Sequence, residues 1–93
     1  MSFSVELTRR ARIDLARLDL WLTVRDPQAA VQLADLLEAA FDSLMTYPLR
    51  GRPLDETTRE LTIPFGQAGY ILRYDVQGQR VFITQIWHSL EDR

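Results

Sequence analysis

A chain of 93 residues with 46% hydrophobic and 26% charged side chains and a net charge of −2 describes one compact domain with a single core. It has no cysteine, which excludes disulfides and thiolate metal sites, and all eleven basic residues are arginine, which excludes a lysine-based mechanism. The mildly acidic balance argues against a broad basic footprint for nucleic acid, and no apolar run approaches the roughly 18 residues of a membrane span, so a cytoplasmic protein without membrane contact is expected.

At the start, Phe3, Val5 and Leu7 alternate with Ser4 and Glu6, the pattern of a short half-buried strand that adds to a later sheet. Thr8 offers an N-cap hydroxyl for a first helix reaching about Val24. Its expected apolar face is Ala11, Leu15, Leu18 and Leu22, with Arg9, Arg10, Arg12, Asp14, Arg17 and Asp19 covering the other side.

Asp26-Pro27 opens a second helix, Asp as N-cap and Pro at the first helical position, where no intrahelical N–H bond is lost. Ala30, Ala34, Leu37, Phe41 and Leu44 form its stripe, widened by Val31, Leu33 and Met45, and Ala30 and Ala34 are expected to let the first helix approach closely. So short a link predicts an antiparallel hairpin whose joint apolar surface needs a sheet to cover it. Tyr47 to Pro53, with two prolines and Gly51, reads as a connector.

From Arg59 to His88 the pattern turns to strands. Three antiparallel strands are predicted, with Tyr70, Leu72, Tyr74 and Val76 on one face of the middle one, Ile71, Arg73 and Asp75 on the other, and Val76 to Gln79 as a hairpin turn. The fold expected is α+β, an N-terminal strand and a two-helix hairpin packed on an antiparallel sheet of about four strands.

In order and spacing, several segments resemble the RelE/ParE toxins of bacterial toxin–antitoxin modules, and the ParE-like branch in particular. They are Thr8 with Ala11, Asp14 and Leu15; Pro27 with Ala30; Pro48 with Gly51-Arg52; Arg59-Glu60-Leu61; Gly69-Tyr70-Ile71-Leu72-Arg73-Tyr74; and Ile86-Trp87-His88. The resemblance spans nearly the whole chain. It implies a toxin silenced by a cognate antitoxin, with DNA gyrase or ribosome-bound mRNA as its target. Ribonuclease members commonly carry Arg three residues before the tyrosine matching Tyr74, where this chain has Ile71, and often use lysines that are absent here. The tail His88-Ser89-Leu90-Glu91-Asp92 is similar to a His-Gly-Arg-Glu-Asp ending of the ParE-like branch, with Leu90 in place of its Arg.

His88 is the only histidine, so any imidazole acid–base step rests on it; the plainer reading is a strand-ending residue. One histidine with scattered carboxylates gives no metal-ligand spacing, and neither metal nor cofactor is expected. A cross-strand Glu60–Arg73 pair is predicted, either a solvated ion pair or, with Asp75, a polar patch for a partner. Arg59 either anchors the antitoxin or packs its stem along Tyr70. Trp21, Phe41, Tyr70 and Tyr74 are expected in the core or at its edge. In the last strand Arg80, Phe82, Thr84, Ile86 and His88 share a parity opposite to Val81, Ile83, Gln85 and Trp87, so both faces carry apolar groups. Trp87 is therefore expected to be partly exposed until covered by the tail, a second copy of the chain in a free homodimer, or an antitoxin segment; a bulge near Thr84 is the alternative.

The resemblance thus implies a toxin, expected to inhibit gyrase by binding, with Arg59, Glu60, Arg73, Asp75, Trp87 and His88 as the candidate residues toward target or antitoxin. The rivals are a ribosome-dependent mRNA endoribonuclease using His88 for acid–base work and Arg73 for phosphate, and a degenerate toxin that binds only its antitoxin.

Overall fold

The computed structural model describes residues 2–91. Strand β1 (Ser4–Leu7) leads into helix α1 (Arg9–Arg25) and helix α2 (Pro27–Thr46), followed by β2 (Arg52–Pro53), β3 (Thr58–Phe65), β4 (Ala68–Gln77) and β5 (Arg80–His88). The strands form one five-stranded sheet in the order β1-β5-β4-β3-β2, and both helices lie on one of its faces. Asp92 of the tail lies outside the described residues.

Local chemistry sets the element boundaries. The Thr8 side chain accepts the Ala11 N–H at 3.2 Å and starts α1. Asp26 alone separates the helices: its backbone N–H donates to the Leu22 carbonyl, and its carboxylate accepts the Ala29 N–H at 3.1 Å. Gly78 takes φ 59° and turns β4 into β5 over two residues, as the Gln-Gly pair predicted.

The core is a single layer between helices and sheet, built from Ala11, Leu18 and Leu22 of α1, Ala30, Leu33, Leu37, Ala40 and Leu44 of α2, and the inward residues of the strands. Tyr70, Leu72 and Tyr74 are buried in it, as the alternation along β4 required.

Several expectations need correction. The sheet is mixed and has five strands, because β1 docks parallel to β5, with Ser4 opposite Arg80 and Leu7 opposite Ile83. An alternating pattern is the same whichever way a strand runs, so direction was not encoded in it. The connector after α2 contributes β2, a two-residue strand pairing Arg52 with Glu60 and Pro53 with Arg59. Ala34, Val31 and Met45 are exposed, while Ala40 joins the buried stripe. Ala30 and Ala34 do not close the helices together: an open apolar groove of about 550 Å³ runs between them, floored by Leu15, Ala16, Leu33 and Phe41. Trp21 is 54% exposed rather than in the core.

Asp14, placed by its charge on the wet side of α1, is 4% exposed. The reason is geometric. Strand β1 ends opposite Ile83, so β5 runs on without a neighbour on that side, and the Asp14 carboxylate accepts the Ile86 N–H at 3.0 Å. A buried carboxylate is tolerated here because it replaces a missing strand.

Candidate functional site

The face of the sheet turned away from the helices carries a ladder of charge across all five strands. Glu60 on β3 lies directly opposite Arg73 on β4, and its carboxylate accepts both Nε and Nη2 of Arg73, the former at 3.0 Å. From the other side Arg52 of β2 donates to the same carboxylate at 3.0 Å. The Arg73 guanidinium also lies 5.1 Å over the ring of Trp87 on β5. Two strand positions along, Thr58 donates its hydroxyl to Asp75 at 2.7 Å. Farther out, Arg80 pairs with Glu6 of β1 and stacks on Phe82. The forked, partly buried Glu60–Arg73 contact holds both side chains in one geometry, unlike a loose surface pair.

Trp87 departs from expectation, being only 6% exposed. A bulge accounts for it. Arg73 pairs with Gln85 but Tyr74 pairs with Ile83, so Thr84 is the extra residue, and its hydroxyl donates to the Arg73 carbonyl. Beyond the bulge the parity flips: Val81, Ile83 and then Ile86 enter the core, and Trp87 emerges on the outer face beside Arg73 and opposite Ile71. The strand therefore has one core face, and the parity that placed Ile86 with Phe82 does not hold.

Arg59 faces the other way. Its Nη1 donates to the carbonyls of Leu49 and Gly51, each at 2.8 Å, clamping the connector against β3. The Gly51 N–H donates to the buried Tyr74 hydroxyl at 2.9 Å, and a Cβ at Gly51 would lie 2.8 Å from the Glu60 carbonyl, so glycine permits this approach. Burial raises the Tyr74 pKa, partly offset by the Gly51 hydrogen bond.

His88 also points to the helix side, at the far end of β5. Its ring meets Tyr70 edge-on at 5.1 Å in a cleft of about 230 Å³ shared with Arg17, Leu18, Trp21 and Glu91. The tail folds back onto this cleft. Glu91 accepts the His88 N–H at 2.7 Å and the Arg17 guanidinium at 2.6 Å, and Ser89 exchanges hydrogen bonds with Gly69. The Leu90 N–H donates to His88 Nδ1 at 3.2 Å. The hydrogen bond to Glu91 raises the Arg17 pKa, and burial, with the nearby Glu91 charge, raises that of Tyr70.

The predicted residues thus divide. Glu60, Arg73, Asp75 and Trp87 share the outer face; Arg59 is committed to the connector; His88 belongs to a cleft on the opposite side. Sequence reading missed Arg17, Tyr70 and Glu91 as companions of His88. Arg17 and Glu91 stand 74 positions apart, and only the tertiary fold brings them together. Among the described residues no cluster of three His, Asp or Glu side chains could hold a metal ion.

A family model described as the ParE toxin of the type II toxin–antitoxin system parDE matches residues 5–93. Toxin RelE1 of Caulobacter vibrioides is 53% identical over 93 residues, covering 100% of both chains. Toxin RelE3 of the same organism is 43% identical over 90 residues, 97% of this chain and 98% of the other. Among solved structures, the toxin–antitoxin complex RelBE2 from Mycobacterium tuberculosis matches with a TM-score of 0.66 and 27% identity, covering 98% of this chain and 95% of that one. The chromosomal ParDE system from P. aeruginosa matches with a TM-score of 0.72 at 19% identity, over 94% and 96% of the two chains, a likeness of fold.

Proposed function

This chain belongs to the ParE toxin family of type II toxin–antitoxin systems, and we propose that it is silenced by a cognate antitoxin and inhibits DNA gyrase by binding rather than by chemistry. The observation that carries this reading is the separation of Arg73 from His88. Arg73 stands on the outer face, held by Glu60 and Trp87, whereas His88 lies on the helix side against Tyr70. A transesterifying nuclease needs a base at the attacking hydroxyl and cationic donors at the phosphate within one site. Here the imidazole Nδ1 already accepts the Leu90 N–H, and Arg17 in the same cleft is paired to Glu91.

The outer face suits recognition of a protein instead. Glu60, Arg73 and Asp75 present both signs of charge on a rigid sheet with Trp87 beside them, and pre-ordered side chains cost little entropy on binding. This face is the surface we assign to the target or the antitoxin.

Two observations favour the endoribonuclease as a second reading: the cleft collects an imidazole, a phenol, a guanidinium and a carboxylate, and the relatives at 53% and 43% identity are named RelE toxins. Expression in growing cells, with and without the antitoxin, separates the two. The binding reading expects growth arrest relieved by antitoxin, with mRNA left intact at ribosomal A sites. Cleavage products there that vanish in His88→Ala would promote the nuclease.

A further inference from the structure

The Glu91 carboxylate sits in the His88 cleft the way a bound ligand would. One of its oxygens accepts Arg17 Nη1 at 2.6 Å, and the other accepts the His88 backbone N–H at 2.7 Å with Arg17 Nη2 3.5 Å away. A guanidinium fork beside one backbone amide suits a planar anion with two oxygens. Glu91 does not fill the space: a cleft of about 230 Å³ lies open beside it, walled by buried Leu18 and Tyr70 and by half-exposed Trp21. Among the described residues that line it, Glu91 is the single acid, set against Arg17 and His88.

The arm that delivers this carboxylate, Ser89 to Glu91, follows β5 and is fastened by polar contacts. Ser89 exchanges hydrogen bonds with Gly69, Leu90 donates its N–H to His88 Nδ1, and Glu91 donates its N–H to the His88 carbonyl. Leu90 is 81% exposed, so its side chain adds no apolar anchor. The Arg17 and Glu91 side chains keep 46% and 29% of their surface in solvent, and an ion pair so exposed is individually weak. The seat is thus built on α1 and β5, whereas its occupant rides on a turn.

We propose that the cleft is a receptor for a carboxylate side chain of a partner protein, and that Glu91 is the chain's own stand-in, displaced by the incoming acid. The pairing of Arg17 is part of the device. An arriving carboxylate has to replace Glu91 and recover the same contacts to Arg17 and the His88 N–H. An apolar side chain next to that acid fills the open part of the cleft against Leu18, Trp21 and Tyr70. Because Glu91 is tethered, it competes at a high effective concentration and lowers the apparent affinity by the fraction of molecules whose seat is empty. The cleft lies on the opposite side from the outer sheet face, and the inference does not rest on the gyrase reading.

The test is an NMR titration of the full chain with acetyl-Ser-Leu-Glu-amide, a copy of the arm supplied in trans, read at the Arg17 Nε–H and the His88 amide. Glu91→Ala is expected to give saturable shifts at both signals and to bind roughly tenfold or more tighter than the wild type. The neutral probe acetyl-Ser-Leu-Gln-amide should bind Glu91→Ala roughly tenfold or more weakly than the acidic one, and Arg17→Gln in the Glu91→Ala background should lose that discrimination. Absence of shifts in a folded Glu91→Ala chain at tens of millimolar peptide, equal binding of the two probes, or equal binding by wild type and Glu91→Ala overturns it. So does inorganic phosphate saturating both signals where the peptide does not, which would make the cleft a phosphate site.

Discussion

The Asp14 carboxylate accepts the Ile86 N–H at 3.0 Å in a buried site, standing in for the strand that β1 is too short to provide. Helix α1 is thereby tied to the sheet next to Trp87 and His88. Asp14→Ala leaves a buried donor unsatisfied and should cost about 1–3 kcal/mol, whereas Asp14→Asn, whose amide oxygen still accepts, should cost less. Denaturant midpoints for the two variants check this. Equal losses would mean that the carboxylate's charge, rather than an acceptor for the Ile86 N–H, is what that site requires.

Leu37 on α2 is 2% exposed and belongs to the core, while Asp35 two positions earlier is exposed. Leu37→Ala is expected to cost about 2–5 kcal/mol, and Asp35→Ala within roughly 0.5 kcal/mol. Chemical denaturation that ranked them equally would contradict the packing of this helix.

Burial raises the pKa of Tyr70 and Tyr74 above the ordinary 10.0. The folded state then keeps phenolic protons that the unfolded chain releases, so the contribution is complete below the unfolded value and is lost as pH rises through the folded one. Stability should decline above pH of about 10. Tyr74→Phe should flatten that decline while losing the Gly51 N–H contact, worth about 1 kcal/mol. Melting curves across the alkaline range decide it; a profile unchanged by Tyr74→Phe would count against the burial argument.

The two tryptophans should behave oppositely, Trp21 half exposed and Trp87 buried beneath Arg73. Trp21→Phe should leave a blue-shifted emission that resists acrylamide, and Trp87→Phe a red-shifted one that acrylamide quenches readily. The reverse pattern would show that the Thr84 bulge is misplaced.

Local chemistry was the legible part of this chain. Thr8, Asp26-Pro27 and Gly78 act through neighbours within a few residues, and the alternation along β4 fixed which face Tyr70 and Arg73 take, so the Glu60–Arg73 pair could be anticipated. The bulge near Thr84 was legible only as the alternative to strict alternation, and what escaped altogether depends on distance. The single extra residue at Thr84 turned Trp87 to the outer face with Arg73 and left Ile86 with the core, although simple alternation had grouped Ile86 with Phe82. Asp14 looked like a solvent residue because its partner lies 72 positions away. The His88 cleft needs Arg17 and Glu91 from opposite ends of the chain, and no periodicity carries that information.

The central claim is that the outer sheet face acts by binding gyrase, with no need of the imidazole. DNA supercoiling by purified gyrase, measured with this protein, with Arg73→Ala and with His88→Ala, tests it most directly. The account predicts inhibition by the wild type and by His88→Ala, relieved by antitoxin, and at least a tenfold higher concentration, about 1.4 kcal/mol of binding, for an Arg73→Ala protein that still unfolds cooperatively above the assay temperature. Supercoiling unaffected at any concentration, together with mRNA cleavage on translating ribosomes that His88→Ala abolishes, would contradict it.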